Sequence, residues 1–248
     1  MKQRPTSASD GIKNLRKDFA ALLKNTPIND AEIIQNLGLY TNRHLLQKML
    51  VLNELYQKII NVHGIIIEFG VRWGQNLALF QNFRSIYEPF NFNRKIVGFD
   101  TFSGFPSVHE NDGNAEFIQK GAYSVSPDYK SHLSKILEYH EAESPYSHIT
   151  KHELIEGDAS DSIETYLLKN KETIIALAYF DFDIYQPTKN CLKAIQSHLT
   201  KGSILVFDEL NLNEFPGETI ALKEVLGLNK YAIKRFPLNP FLGYLVIE

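Results

Sequence analysis

The chain has 248 residues, is 44% hydrophobic and carries a formal charge of −3, so it can fill the core of one large α/β domain, and its interspersed lysines and acids mark no nucleic-acid partner. Its single cysteine, Cys191, excludes an intramolecular disulfide and any cysteine-built zinc cluster, and its expected place is the buried face of a helix. No apolar run approaches the ~20 residues of a membrane span, and Met1 to Asp10 lacks the apolar stretch of a secretory signal, so the expectation is a soluble, cytoplasmic protein without a membrane partner.

Residues 1 to 10 read as disordered. Helical periodicity then sets in at Ile12, Leu15, Phe19, Leu22 and Leu23 and closes before Pro27. A second helix is expected from Asn29 or Asp30, with Ile33, Ile34 and Leu37 inward and Gly38 stopping it. A longer one follows Thr41-Asn42, with Leu45, Leu46, Met49, Leu52, Leu55 and Ile59 on one face. Together, residues 1–62 are expected to form a helical cap and dimerisation segment ahead of a main domain at 63–248.

From residue 65 strands and helices alternate. Ile65–Phe69 reads as a strand, Asn76–Tyr87 as a helix, and Lys95–Phe99 as a strand ending at Asp100. Residues 101–126 have no periodicity and carry Gly, Pro, Asn and Ser, a length that suggests a lid or substrate loop. A helix is expected over Pro127–Glu143, a short strand at His152–Ile155, and a helix over Ser160–Lys169. Two apolar strands follow, Ile174–Phe180 and Ser203–Phe207, with a helix near Thr188–Leu199 between them. A helix at Glu218–Leu226 and a strand pair at Tyr231–Phe236 and Gly243–Ile247 close the chain. Such alternation predicts a Rossmann-like, doubly wound, mostly parallel sheet with an antiparallel C-terminal element.

The two apolar strands end in acids, Asp181-Phe182-Asp183 and Asp208-Glu209. Carboxylates at the ends of buried strands are costly unless paired, hydrogen-bonded or bound to a cation. On neighbouring parallel strands they would face one crevice at the carboxyl edge of the sheet, where open α/β sheets bind ligands. Glu68-Phe69-Gly70-Val71-Arg72-Trp73-Gly74 makes a glycine-bearing strand-to-helix turn, either a ligand cradle or an ordinary connection. Arg72 at its centre fits a pyrophosphate poorly, which weighs against a nicotinamide-dependent oxidoreductase. Asp100 could accept both hydroxyls of a ribose, or cap the turn at Thr101 to Ser103. Asp158 could meet an adenine amino group, or cap the helix at Ser160. Arg43 and Arg72 are candidates for a phosphate or carboxylate, and Trp73, Tyr123, Tyr185 and His109 for the pocket wall. Surface pairing or ordinary packing is the competing reading for each.

Three stretches carry a family resemblance: Ile67-Glu68-Phe69-Gly70 with Gly74; Val97-Gly98-Phe99-Asp100-Thr101-Phe102-Ser103-Gly104-Phe105-Pro106; and Phe180-Asp181-Phe182-Asp183-Ile184-Tyr185-Gln186-Pro187-Thr188. Over about residues 40 to 248 the chain resembles the S-adenosylmethionine-dependent macrocin O-methyltransferases, which methylate hydroxyls, often on sugars, upon a seven-stranded Rossmann-like sheet. The family has two aspartates after the fifth strand; this chain has Asp208-Glu209. The resemblance implies S-adenosylmethionine at Glu68, Gly70, Arg72, Gly74, Asp100, Thr101, Asp158 and Asp181. It implies Mg²⁺ on Asp181, Asp208 and Glu209, with Asp183 as general base and Asp181 beside it in catalysis. The acceptor would be a sugar or nucleotide sugar; a phenolic or phosphate-linked metabolite and a non-catalytic binding role are the alternatives.

Overall fold

A computed structural model describes residues 8–248. The disorder expected over residues 1 to 10 falls mostly on residues outside this range, and the first helix, α1, runs Asp10–Lys24. The α2 helix, Asp30–Ile33, passes directly into a 3-10 stretch at Ile34–Tyr40. Ile34 and Leu37, expected to point inward, are exposed there, uncovered among the described residues, while Tyr40 of the same stretch meets Phe19 of α1. The Asn42 side chain caps α3, Arg43–Ile59, accepting from the amides of His44 and Leu45.

The remaining elements alternate as the sequence predicts: β1 Ile65–Phe69, α4 Gln75–Tyr87, β2 Ile96–Asp100, α5 Tyr129–Glu143, β3 His152–Glu156, α6 Ala159–Lys169, β4 Ile175–Phe180, α7 Tyr185–Ile195, β5 Leu199–Phe207, α8 Gly217–Val225, β6 Lys234–Phe236 and β7 Asn239–Val246. α7 starts three residues before the expected Thr188, because Pro187 is tolerated in a first helical turn, where its missing N–H has no partner to lose. The seven strands form one sheet in the order β3-β2-β1-β4-β5-β7-β6. The first five are parallel, and β7 is antiparallel to both β5 and β6. Strand order reverses between β1 and β4, which opens a crevice beyond their carboxyl ends.

Both faces of the sheet are covered, so the central strands are apolar throughout rather than alternating. On one face Ile66, Leu177, Tyr179 and Val206 pack with Leu52, Leu55 and Ile59 of α3, Leu77 and Phe80 of α4, and Leu133 and Leu137 of α5. On the other, Ile67, Phe69, Phe180 and Phe207 pack with Ile163 of α6, Leu192 of α7 and Leu222 of α8. Cys191 is buried on the inward side of α7, as expected. Arg94, also buried, ties the end of α3 to the sheet: its guanidinium donates to the carbonyls of Ile59, Val62 and Gly64 and to the carboxylate of Glu88.

Candidate active site

A crevice of about 250 Å³ lies at the switch between β1 and β4. Its floor is the β1–α4 turn. Gly70 takes φ 90, and a Cβ there would collide with the backbone carbonyl of Asp181, so only glycine lets β1 and β4 end this close together. Gly74, at φ 75, has the side chain of Leu133 where a Cβ would stand. Both glycines are therefore demanded by packing as well as by any ligand.

Of the residues singled out from sequence, Glu68, Gly70, Arg72, Trp73, Gly74, Asp100, Thr101, Tyr123, Asp158, Asp181 and Asp183 line this crevice. Asp208, Glu209 and Tyr185 do not line it, nor do Arg43 and His109.

Glu68 is buried, and its Oε2 has no hydrogen-bond partner. Burial and then the nearby charge of Asp181 hold its carboxyl well above the ordinary carboxylate range, with Lys48 pulling the other way. A buried acid with an unused oxygen facing a crevice suits a cationic or hydrogen-bond-donating ligand. Asp100 caps the turn after β2 and also lines the crevice. Its Oδ2 accepts the Arg72 amide at 2.7 Å and its Oδ1 accepts the Phe102 amide. Burial raises its pKa, opposed by these backbone donors. Asp158 likewise lines the crevice and caps α6, accepting from the Ser160 amide at 2.9 Å.

Arg72 adopts φ 49 and lays its guanidinium 4.8 Å from the ring centre of Tyr123. This joins the β1–α4 turn to the aperiodic segment after β2. That segment folds back on itself, Phe105 donating to Ala122 and Gly121 to Phe105, and supplies Thr101, Gly104, Phe105, Pro106 and Tyr123 to the crevice wall. Outside the crevice its His109 ring lies 4.8 Å from that of Tyr185.

The acids at the strand ends are arranged differently from expectation. β4 ends at Phe180, so strand alternation does not govern the residues beyond it; Asp183 has turned into the left-handed region at φ 62 and is buried. Asp208 accepts the hydroxyl of Tyr179. Behind these acids sits Glu218, fully buried, which the sequence did not bring forward because an acid in a first helical turn is ordinary. Burial and then the charges of Asp183, Asp181, Asp208 and Glu209 hold its carboxyl well above the usual range. The donor set is all oxygen, the kind Mg²⁺ takes. Among the described residues, though, no group of three or more His, Cys, Asp or Glu stands where it could hold a metal ion. Asp181, Asp208 and Glu209 are thus not a preassembled triad.

Lys48 of α3 was also missed. It lines the crevice beside Glu68, but one lysine on a long amphipathic helix carries no signal of its own. The remaining histidines stay outside the crevice, and His152 is bound to Glu141.

Comparison with models of protein families and with curated proteins found no match. Among solved structures, the chain is similar to the crystal structure of CalS11, a calicheamicin methyltransferase, with a TM-score of 0.95 and 39% identity over 99% of this chain and 98% of that one. An apo structure of CalS11, described as a TDP-rhamnose 3'-O-methyltransferase of calicheamicin biosynthesis, gives a TM-score of 0.86 and 38% identity over 97% and 96%. The O-methyltransferase NovP shares the fold, with a TM-score of 0.63 and 17% identity over 96% and 98%.

Proposed function

The chain belongs to the sugar O-methyltransferase family of CalS11, related to the macrocin O-methyltransferases, and from that membership we propose that it transfers a methyl group from S-adenosylmethionine to a hydroxyl of a sugar on a small-molecule precursor, a nucleotide sugar being the first candidate. The observation that carries the cofactor assignment is the crevice itself, where acids from the ends of four parallel strands meet one glycine turn. Glu68, with its unused buried oxygen, suits the amino-acid end of the cofactor. Asp100, an acceptor-only carboxylate on the crevice wall, suits the ribose, and Asp158 the adenine amino group. Gly70, Arg72, Gly74 and Thr101 complete the wall, and Asp181 stands where the reacting end would lie.

When bound, S-adenosylmethionine supplies a methyl group on a sulfonium leaving group, so no enzyme nucleophile is required. The protein's work is to hold the acceptor oxygen in line, exclude water and accept a proton. Asp183, buried at the crevice wall, takes that proton. Mg²⁺ on Asp181, Asp208 and Glu209 belongs to the proposal on donor chemistry alone; when bound it would orient and acidify the acceptor hydroxyl. Lys48 and Arg72 give the crevice two cations suited to an acceptor phosphate. The exposed apolar helices before β1 serve as a homodimer surface.

Calorimetric titration with S-adenosylhomocysteine and with NAD tests the cofactor assignment. Binding of the former and not the latter is expected; the reverse points to an oxidoreductase. Turnover that survives EDTA unchanged removes the metal from the account.

A further inference from the structure

The turn that carries Asp183 is held by two acids that do not line the crevice. Glu218, in the first turn of α8, is fully buried. Its Oε1 accepts the amides of Phe182 at 3.2 Å and Asp183 at 3.3 Å, and its Oε2 accepts the amide of Glu209 at 3.3 Å. One side chain thus ties the chain leaving β4 to the chain leaving β5. Asp112, from the 3-10 turn Glu110–Asp112 in the segment after β2, is also buried. Its Oδ1 accepts the amide of Tyr185, and its Oδ2 accepts that of His109 at 2.7 Å. Gly217 fits between them: a Cβ there would meet the Tyr185 amide and the Asp112 carboxylate.

This arrangement has a conformational reason. Asp183 sits at φ 62, a left-handed region that few non-glycine residues adopt and that local hydrogen bonds must hold. Phe182, Asp183 and Glu209 all turn their amides toward the start of α8. An acceptor with two oxygens, reached from a rigid helix, meets all three.

We propose that Glu218 is a positioning residue: its buried carboxyl group clamps the ends of β4 and β5 together and fixes the left-handed backbone from which Asp183 reaches the crevice, while Asp112 pins the far end of the same turn. The proposal rests on Asp183 as the proton acceptor. Glutamine at 218 keeps an oxygen for the Phe182 and Asp183 amides but turns an N–H₂ toward the Glu209 amide, so it retains half the clamp. Alanine retains none.

The test pairs amide hydrogen exchange with kinetics, using TDP-rhamnose as probe acceptor. In Glu218→Gln, exchange at Glu209 should quicken while Phe182 and Asp183 stay protected; in Glu218→Ala all three should quicken. Turnover should fall about 10-fold in the first and about 100-fold in the second, with acceptor KM and S-adenosylhomocysteine affinity nearly unchanged. If Glu218→Ala does not fold, Glu218→Gln with its single exposed amide decides alone. Unchanged exchange at all three amides overturns the clamp. Altered exchange with wild-type turnover makes Glu218 structural only and overturns its positioning role. Asp183→Asn, run alongside, separates the premise: turnover that survives it removes the proton acceptor itself, whatever Glu218 does.

Discussion

At the scale of single residues, Glu68 is where electrostatics makes the sharpest demand. In the ligand-free crevice burial, and then the charge of Asp181, hold its carboxyl group well above the usual carboxylate range. A sulfonium and an ammonium arriving beside it favour the carboxylate, so binding should release a proton. The sign follows: S-adenosylmethionine affinity should rise with pH until the free-state pKa of Glu68 is passed, then level off. Calorimetry in buffers of different ionisation enthalpy should detect the released proton, and Glu68→Gln should abolish it and weaken binding about 10-fold or more. Glu68, Asp100 and Asp181 were legible from sequence because each stands at the end of an apolar strand, where a carboxylate needs a reason, and Asp158 because it falls between a short strand and a helix. Glu218, Asp112 and Lys48 were not. Glu218 resembles any acid in a first helical turn, Asp112 lies in a segment without periodicity, and Lys48 occupies a helix face that could as well be solvated.

Among the elements, α4, α5 and the start of β3 are joined by buried charge rather than by apolar contact alone. Glu141 of α5 receives Arg84 of α4 at 3.0 Å, the Lys151 amide at 2.9 Å and the His152 ring at 3.1 Å. Burial alone would raise its pKa, but the hydrogen bonds from His152 and Lys151 and the charge of Arg84 win, bringing it to about 2 from an ordinary 4.5. A depressed carboxylate contributes stability that is complete above the ordinary value and is lost as pH falls toward the folded one. The denaturation midpoint of the wild type should therefore decline as pH drops from 4.5 to about 2. Glu141→Gln should cost about 3 kcal/mol at neutral pH, since it strands buried cations, and should flatten that decline. The pairing partners were invisible in sequence, since Arg84, Glu141 and Lys151 are brought together only by the fold. The elements themselves were legible because strands buried on both faces read as unbroken apolar runs and glycine turns mark their ends. The misreading at Ile34 and Leu37 has the complementary cause. An apolar stripe announces that a face wants cover, not that the same chain supplies it.

For the whole molecule, that uncovered face is the N-terminal one. α1, α2 and the 3-10 stretch have no buried residue, and Leu15, Leu22, Ile34 and Leu39 are each more than 60% exposed. A helix as short as α1 is marginal in water by itself, so the proposed second copy gives it a partner. Sedimentation should return twice the monomer mass, and Leu15→Asp with Leu22→Asp should return the monomer; a wild-type monomer removes the dimer from the account. α3 meanwhile belongs to the same core as the sheet and sends Lys48 into the crevice, so the helical segment and the site are physically linked. The central claim is chemical, and mass spectrometry tests it most directly. The purified chain is incubated with S-adenosylmethionine labelled in its methyl group and with TDP-rhamnose or a panel of other nucleotide sugars. One labelled methyl group should be found on a sugar hydroxyl of at least one acceptor, with S-adenosylhomocysteine formed in equal amount and both lost in Asp183→Asn. S-adenosylhomocysteine binding without any labelled sugar across the panel would contradict it.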